Sequence, residues 1–358
     1  MSPAMSLSGP ARLEQRVARI CARAHDPLEL LAAVATAVRA EISYAAAGWL
    51  LTDPDTLLIT GVHAENVTRQ QNLALIECEL TIDDVNKFVD LARRDVPAAS
   101  LGIETAGDLS RSARWSKIYQ PNGYGDEMRG VFNSGSATWG HFCLTRRAED
   151  AFFTEGEVAT MARLCPHVAN GIRASLQLGE KPAVSVAAAP ALLMLADDGS
   201  IESMTPQVTE WLGPVEDERL ESTIVLHEVA HQARVLAETG VGEPAMARTR
   251  ARSGDWLVVR AVRMERDGSQ TGCTAVVLEQ ARRSDIAPLL VHLSQLTRRE
   301  KEIAQLLLTG MSTREIAGRL WITAETLRGH VKAIFAKLGV NSRPELAALL
   351  SQDLVLRR

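Results

Sequence analysis

The sequence predicts a multidomain chain: two α+β domains followed by an all-α domain of four short helices. Three observations carry this. At 358 residues the chain exceeds one ordinary core. Hairpin-like β patterns alternate with amphipathic helical stretches up to about residue 282, after which only helical periodicity remains. Charge is also uneven: the segment from Leu289 onward carries +5 and the rest −10, for a net −5. A basic tail on an acidic body points to a polyanionic partner for the tail alone. Apolar content of 46% and charged content of 23% fit a soluble globular protein. No apolar run approaches the roughly 20 residues that cross a bilayer. The opening MSPAMSLSGP lacks a basic stretch followed by an apolar core. The expectation is therefore a cytoplasmic protein with no membrane partner. Five cysteines (Cys21, Cys78, Cys143, Cys165, Cys273) stand singly and are expected as buried thiols.

Residues 1–10 are read as a loose, disordered start. HDPLELLAAVATAVRAE then reads as a helix, with Asp26 as N-cap, Pro27 first and Leu30, Leu31, Val34 and Val38 as its buried stripe. AAAGWLL, a DP turn and TLLITGV form a hairpin. Helical stretches are expected near 66–78 and 82–94, and a polar loop from about 97 to 125. DEMRGVFNS and ATWGHFCLTRR form a second hairpin. Thr154 and Glu157 make a capping box for a long helix striped by Val158, Met161, Leu164, Val168, Ile172 and Leu176. That stripe suits core packing or a dimer helix equally. These elements make one α+β domain over 11–178. Residues 179–189 read as a linker by composition. A strand, a DG turn, a strand, a short helix, a helix over 222–239 and three strands joined by SGD and RDGSQ turns make a second α+β domain, 190–282. A linker helix over 283–293 leads to the tail domain, 294–358.

In the tail, TRRE (297–300), STRE (312–315) and SRPE (342–345) are three capping boxes, and Thr323 is a fourth N-cap. Gly310 and Gly339 stand where helix C-caps belong. The helices run near 298–308, 313–320, 324–338 and 343–351. Their apolar faces are Ile303, Leu306 and Leu307; Ile316, Ala317 and Leu320; Leu327, Val331, Ile334 and Leu338; and Leu346, Leu349 and Leu350. Only Trp321, Ile322 and Thr323 separate the second helix from the third, which is helix-turn-helix spacing. With the apolar stripe inward, Glu325, Arg328, Gly329 and Lys332 point out. Arg328 and Lys332 are cations one turn apart, and Arg reads guanine bidentately in the major groove. Gly329 costs a helix interior about 1 kcal/mol against Ala. Its place between two cations suits a helix face that meets something too close for a side chain. His330, beside the stripe, is expected to be structural.

The run LTRREKEIAQLLLTGMSTREIAGRLWITAETLRGHVKAIFAKLGVNSRPEL closely resembles the LuxR/NarL-type four-helix DNA-binding domain. The resemblance implies sequence-specific transcriptional regulation by a homodimer whose last helices pair. It places base reading on Arg328, Gly329 and Lys332, and phosphate contacts near Ser312, Thr313, Thr323 and Thr326. One departure is that the position of Gly329 often carries a side chain in that family. By element order, the first domain resembles a GAF-type sensor and the second a PAS-type sensor, as in a subset of these regulators. No doubly wound receiver pattern precedes the tail, so control by phosphorylation is not expected. The implied partners are double-stranded DNA, RNA polymerase and an unknown small-molecule or protein effector, with no cofactor and no enzymatic activity.

Two patterns compete with this reading. LHEVAHQ (226–232) sets His227, Glu228 and His231 in the H-E-x-x-H spacing of a zinc hydrolase, which is the alternative function. Arg234 and Ala237 break the metzincin continuation, and Glu238, Glu243 or Glu265 would have to supply a third ligand. In the first domain, Trp49, Trp115, Tyr119, Tyr124, Trp139 and Phe142 line either a ligand pocket or an ordinary core.

Overall fold

The computed structural model describes residues 9–135, 137–178, 189–215, 223–266, 269–294 and 296–350. The start over 1–8, the linker over 179–188, the centre of the RDGSQ turn and the tail beyond 350 lie outside the described residues. The chain divides into two compact units, 1–280 and 281–358.

The first unit holds two five-stranded antiparallel sheets. Helices α1 (Gly9–Cys21) and α2 (Pro27–Arg39) precede strands β1 (Ala46–Thr52) and β2 (Ile59–Glu65). Asp26 caps α2 by accepting from the amides of Leu28 and Glu29. Helices α3 (Arg69–Thr81) and α4 (Phe88–Leu91), strand β3 (Ala98–Ser100) and helix α5 (Leu101–Glu104) follow. Strands β4 (Tyr124–Ser134) and β5 (Ala137–Arg147) complete the sheet, and α6 (Glu155–Leu178) closes this half. The sheet order is β2-β1-β5-β4-β3.

The helix expected over 82–94 is reduced to α4. Asn86 takes a left-handed φ of 58°, and Asp84 turns inward to accept from the amide and guanidinium of Arg114. Both features break a helical run. The polar loop over 97–125 contains β3, α5 and a helical turn over Trp115–Tyr119.

Trp49, Phe132 and Phe142 stack against one another inside the core, with centroids 5.7–6.4 Å apart, and Trp139 is buried. These aromatic side chains are core packing. The α6 stripe from Val158 to Ile172 is likewise buried within the chain, so of its two readings the structure selects packing over a dimer seam. Close approach sets one residue there: a Cβ on Gly171 would lie 2.7 Å from Leu30 Cδ1 and 2.8 Å from Cys21 Cβ. Tyr119 and Tyr124 border a cavity of about 20 Å³ with Ala46, Leu75, Ile118 and Cys143, roughly the room of one water.

The second sheet is built from β6 (Ala191–Ala196), β7 (Ile201–Met204), β8 (Met246–Arg250), β9 (Trp256–Arg266) and β10 (Ser269–Gln280), in the order β7-β6-β10-β9-β8. Gly199 takes the expected DG turn with φ +79°. Helices α7 (Pro206–Leu212) and α8 (Ile224–Thr239) cover its core of Leu193, Leu195, Val208, Leu226, Val229, Leu257, Val259 and Val276. Helix α8 also packs on β2 and α3, so Ile224 shares a core with Leu50, Val62 and Ile76. The five cysteines are free thiols, and all but the partly covered Cys143 are buried.

A buried ion pair joins the two sheets. The Arg248 amide donates to Asp53 Oδ2 at 2.8 Å, and its guanidinium donates to Asp53 Oδ1 at 3.1 Å and Asp55 Oδ2 at 2.6 Å. Burial pushes the Asp53 carboxyl up, and Arg248 works against that shift. Removing one partner of such a pair strands the other charge in the interior. Arg248→Ala is therefore expected to cost about 3–5 kcal/mol, measured by urea unfolding of the full chain. A loss below about 1 kcal/mol, the size of an exposed pair, would refute the assignment.

Candidate nucleic-acid interface

The second unit begins with α9 (Arg283–Leu293), whose Ala287 joins the tail core. Four helices follow: α10 (Arg298–Leu308), α11 (Thr313–Arg319), α12 (Ala324–Leu338) and α13 (Arg343–Leu350). Their starts follow the caps read from sequence. Thr297 and Glu300 exchange reciprocal bonds of 2.7 and 3.2 Å. Ser312 and Glu315 do the same at 2.7 and 3.3 Å. Thr323 Oγ1 accepts from the Thr326 amide at 3.1 Å. At the third box Ser342 Oγ accepts from the Glu345 amide, and the Glu345 carboxylate accepts from the Asn341 amide and the Ser342 hydroxyl. Gly310, one residue past the α10 C-cap Thr309, and Gly339, the C-cap of α12, take left-handed φ of 87° and 62°.

Ile303, Leu307, Ile316, Leu320, Leu327, Ile334, Leu338, Leu346 and Leu349 form the tail core, with Leu306 and Val331 at its margin. Leu350 has no described side chain. Three polar clamps hold the helices in place, and the sequence reading missed all three. Arg299 Nη2 donates to the Leu320 carbonyl at 2.6 Å, closing the end of α11. Arg343 Nε donates to the Leu307 carbonyl at 2.9 Å, closing α10. Lys337 Nζ donates to Glu300 Oε2 at 2.6 Å, tying the end of α12 to the start of α10. Burial alone would raise the Glu300 carboxyl, but Lys337 and Thr297 hold it below the ordinary range. The available signal was three cations at helix ends, where they can satisfy last-turn carbonyls or a capping carboxylate; spacing alone cannot name their partners.

Every site residue expected from sequence is exposed: Ser312 and Thr313 at the start of α11, Thr323 at the cap of α12, and Glu325, Thr326, Arg328, Gly329 and Lys332 along α12. Arg328 Nη1 donates to Glu325 Oε2 at 3.0 Å, with the two side chains 69% and 88% exposed. Such a surface pair is worth at most about 1 kcal/mol, so it orients the guanidinium without locking it. The Thr323 and Thr326 hydroxyls lie 2.9 Å apart. A Cβ on Gly329 would meet no atom within 4 Å, so no contact within the chain calls for glycine. His330 is half-buried beside the stripe.

The H-E-x-x-H stretch forms one face of α8, as its spacing requires. His227 and His231 line a cavity of about 270 Å³ with Glu77, Asp197, Asp198 and Arg234. Yet Arg69 Nη2 stands 3.3 Å from His227 Nε2, and Arg234 Nη2 stands 2.7 Å from His231 Nδ1. Guanidinium groups occupy the approach a cation would take. Glu228 is buried, where a base would need to meet water. Among the described residues, no group of three or more His, Cys, Asp or Glu is arranged to hold a metal. Burial, then the neighbouring arginine, lowers each imidazole to about 4. These features give the hydrolase reading no support.

Four short helices joined by this turn define a helix-turn-helix DNA-binding domain. Residues 294–350 match the model of the bacterial regulatory proteins of the luxR family, and the carboxy-terminal domain is a luxR-family helix-turn-helix domain. The chain is 43% identical over 61 residues to a putative HTH-type transcriptional regulator from Aeromonas salmonicida, covering 17% of this chain and 31% of that protein. It is 40% identical over 58 residues to the HTH-type transcriptional regulator MalT of Serratia proteamaculans, covering 16% and 6%. The chain thus spans less than a third of either relative. Among solved structures, the Vibrio cholerae VqmA–ligand–DNA complex overlaps at 18% identity and TM-score 0.25, over 46% of this chain and 82% of that one. SdiA bound to octanoyl-rac-glycerol overlaps at 11% identity and TM-score 0.37, over 97% and 96%. Both overlaps are loose.

Two outcomes follow from this geometry. Gly329→Ala is expected to stabilise the tail domain by up to about 1 kcal/mol, read from amide exchange of α12; a destabilisation would mean the face is crowded. Burial raises Glu228 to about 8, so the folded chain holds a proton there that the unfolded chain releases near its ordinary value of 4.5. Stability contributed by that proton is lost as pH rises through about 8. Between pH 6.5 and 8.5 the melting temperature should fall in the wild type and fall less in Glu228→Gln; parallel slopes would refute this.

Proposed function

We propose that this chain is a one-component, sequence-specific transcription regulator. In this reading a GAF-like sensor domain spans 11–178, a PAS-like domain spans 190–282, and 294–358 is the DNA-binding domain. The observation that carries it is the split of α12 into two faces. Leu327, Ile334 and Leu338 are buried, while Glu325, Arg328, Gly329 and Lys332 are exposed. A helix held by one face in a small basic domain offers its other face to the major groove. The luxR-family match of this segment supports the same role.

In this reading Arg328 exchanges its surface bond to Glu325 for the O6 and N7 edge of a guanine. Lys332 neutralises a phosphate or reads a second base. Gly329 leaves space for base edges or a thymine methyl. Ser312, Thr313, Thr323 and Thr326 hold the flanking phosphates through hydroxyls and helix-start amides. A homodimer matches a palindromic operator. Leu346 and Leu349 of α13 serve the domain's own core, so pairing through α13 uses its other residues. An effector, small molecule or protein, would act by binding two states of the dimer unequally. RNA polymerase is the downstream partner. Among the described residues no helix is long and apolar enough to cross a membrane.

The test uses duplexes that the full chain selects from sheared genomic DNA. Arg328→Ala should cost about 1–3 kcal/mol and relax preference at one base pair. Lys332→Ala should lower the salt slope by about 1 if it contacts a phosphate. Gly329→Leu should weaken binding to the selected sites by steric exclusion. Wild-type binding by all three variants would overturn the orientation of α12.

A further inference from the structure

Trp321 lies in the turn between α11 and α12 and is 94% exposed. Its backbone is as unusual as its exposure. With Leu320 as the C-cap of α11, the Trp321 amide donates to the Gly318 carbonyl at 3.3 Å and the Ile322 amide to the Ala317 carbonyl at 3.1 Å. This is a Schellman turn, whose left-handed position is usually glycine. Trp321 fills it with φ +53°. A bulky side chain in that region is a marked outlier. The turn thus carries a residue poorly suited to it by backbone preference, and leaves its ring in water. Neither packing nor chain geometry accounts for tryptophan here; Ile322, not Trp321, anchors the turn in the tail core.

Position supplies an account. Trp321 stands two residues before Thr323, so its Cα lies within roughly 7 Å of that cap residue. The exposed strip continues from Trp321 through Thr323, Glu325 and Thr326 to Arg328. An indole offers a flat apolar face and one N–H donor. A groove edge offers the complement: deoxyribose faces between phosphate oxygens. We propose that Trp321 is a DNA-contacting residue, its ring packed on the sugar-phosphate backbone at the edge of the groove that α12 enters, with Nε1–H donating to a phosphate oxygen. The contact carries no charge and touches no base. It therefore adds affinity without selecting sequence and without releasing counterions. This rests on the reading of α12 as the groove-facing helix.

The experiment compares full-length wild type, Trp321→Gly, Trp321→Phe and Arg328→Ala on two labelled duplexes, one selected by the wild type from a random pool and one scrambled, across a salt series. Trp321→Gly removes the backbone conflict, so it should fold as well as or better than wild type, checked by amide exchange of α12. It is expected to bind both duplexes about tenfold more weakly, equivalent to about 1.4 kcal/mol, with an unchanged salt slope. Trp321→Phe should retain part of the affinity. Arg328→Ala should instead narrow the gap between the two duplexes. Wild-type affinity in Trp321→Gly beside weakened binding in Arg328→Ala overturns the indole contact alone. Wild-type affinity in both overturns the reading of α12 itself. Normal DNA binding by Trp321→Gly with lost transcription in a reconstituted assay would assign the indole to polymerase and likewise overturn the proposal.

Discussion

Helix α12 has one apolar face, and the tail domain closes its core on it. Leu327, Ile334 and Leu338 are buried against Ile303, Leu307 and Ile316. That burial sets the rotation of the helix, and rotation decides which side chains reach outward. A turn of one residue, about 100° in a helix of 3.6 residues per turn, would move Arg328 toward the core. Lys337 on Glu300 and Arg299 on the Leu320 carbonyl then hold the end of α12 and the turn before it. The exposed face of α12 is in this sense a product of its buried one.

The first unit obeys a different constraint. Two antiparallel sheets, each with its own core, share helix α8, which packs on β9 as well as on β2 and α3. A helix covered from both sides must bury its polar residues. His227, Glu228 and Gln232 are consequently buried. Their environment explains why a zinc-like spacing serves structure here. Arginines abut both imidazoles, and Gln232 donates to the Glu243 carbonyl at 2.7 Å. Where β2 and β8 meet, Asp53 and Arg248 are likewise in contact and nearly without water.

Much of the fold was legible in residues whose roles depend on near neighbours. Asp26, Thr154, Thr297, Ser312 and Thr323 cap helices as read, because a cap involves groups within three residues. The stripe of α2 is buried as read, and those of α6 and α12 largely so, with Leu176 and Val331 only partly covered, because helical period sets a face; whether the α6 stripe packs inward or pairs was left open by its period. The stretch over 82–94 was misjudged because Asp84 has its partner in Arg114, thirty residues away. The aromatic residues of the first domain could not be sorted by sequence. Trp49, Trp139, Phe142, Tyr119 and Tyr124 are all buried, the two tyrosines also bordering a small cavity, and only the closed fold decides this. In the tail, the exposed face of α12 was legible; the tryptophan in a glycine position was not, because φ is a property of the closed turn.

By itself the sequence determined the periodic and the local: which helices start where, which face of each is apolar, and that the basic tail differs from the acidic body. Tertiary structure decided the partners of the charges. Arg248 meets Asp53 across 195 positions and Lys337 meets Glu300 across 37. The physical reason is range. Helical period and capping act over a few residues and are written in spacing, whereas a buried ion pair forms wherever packing brings two charges together and withdraws them from water.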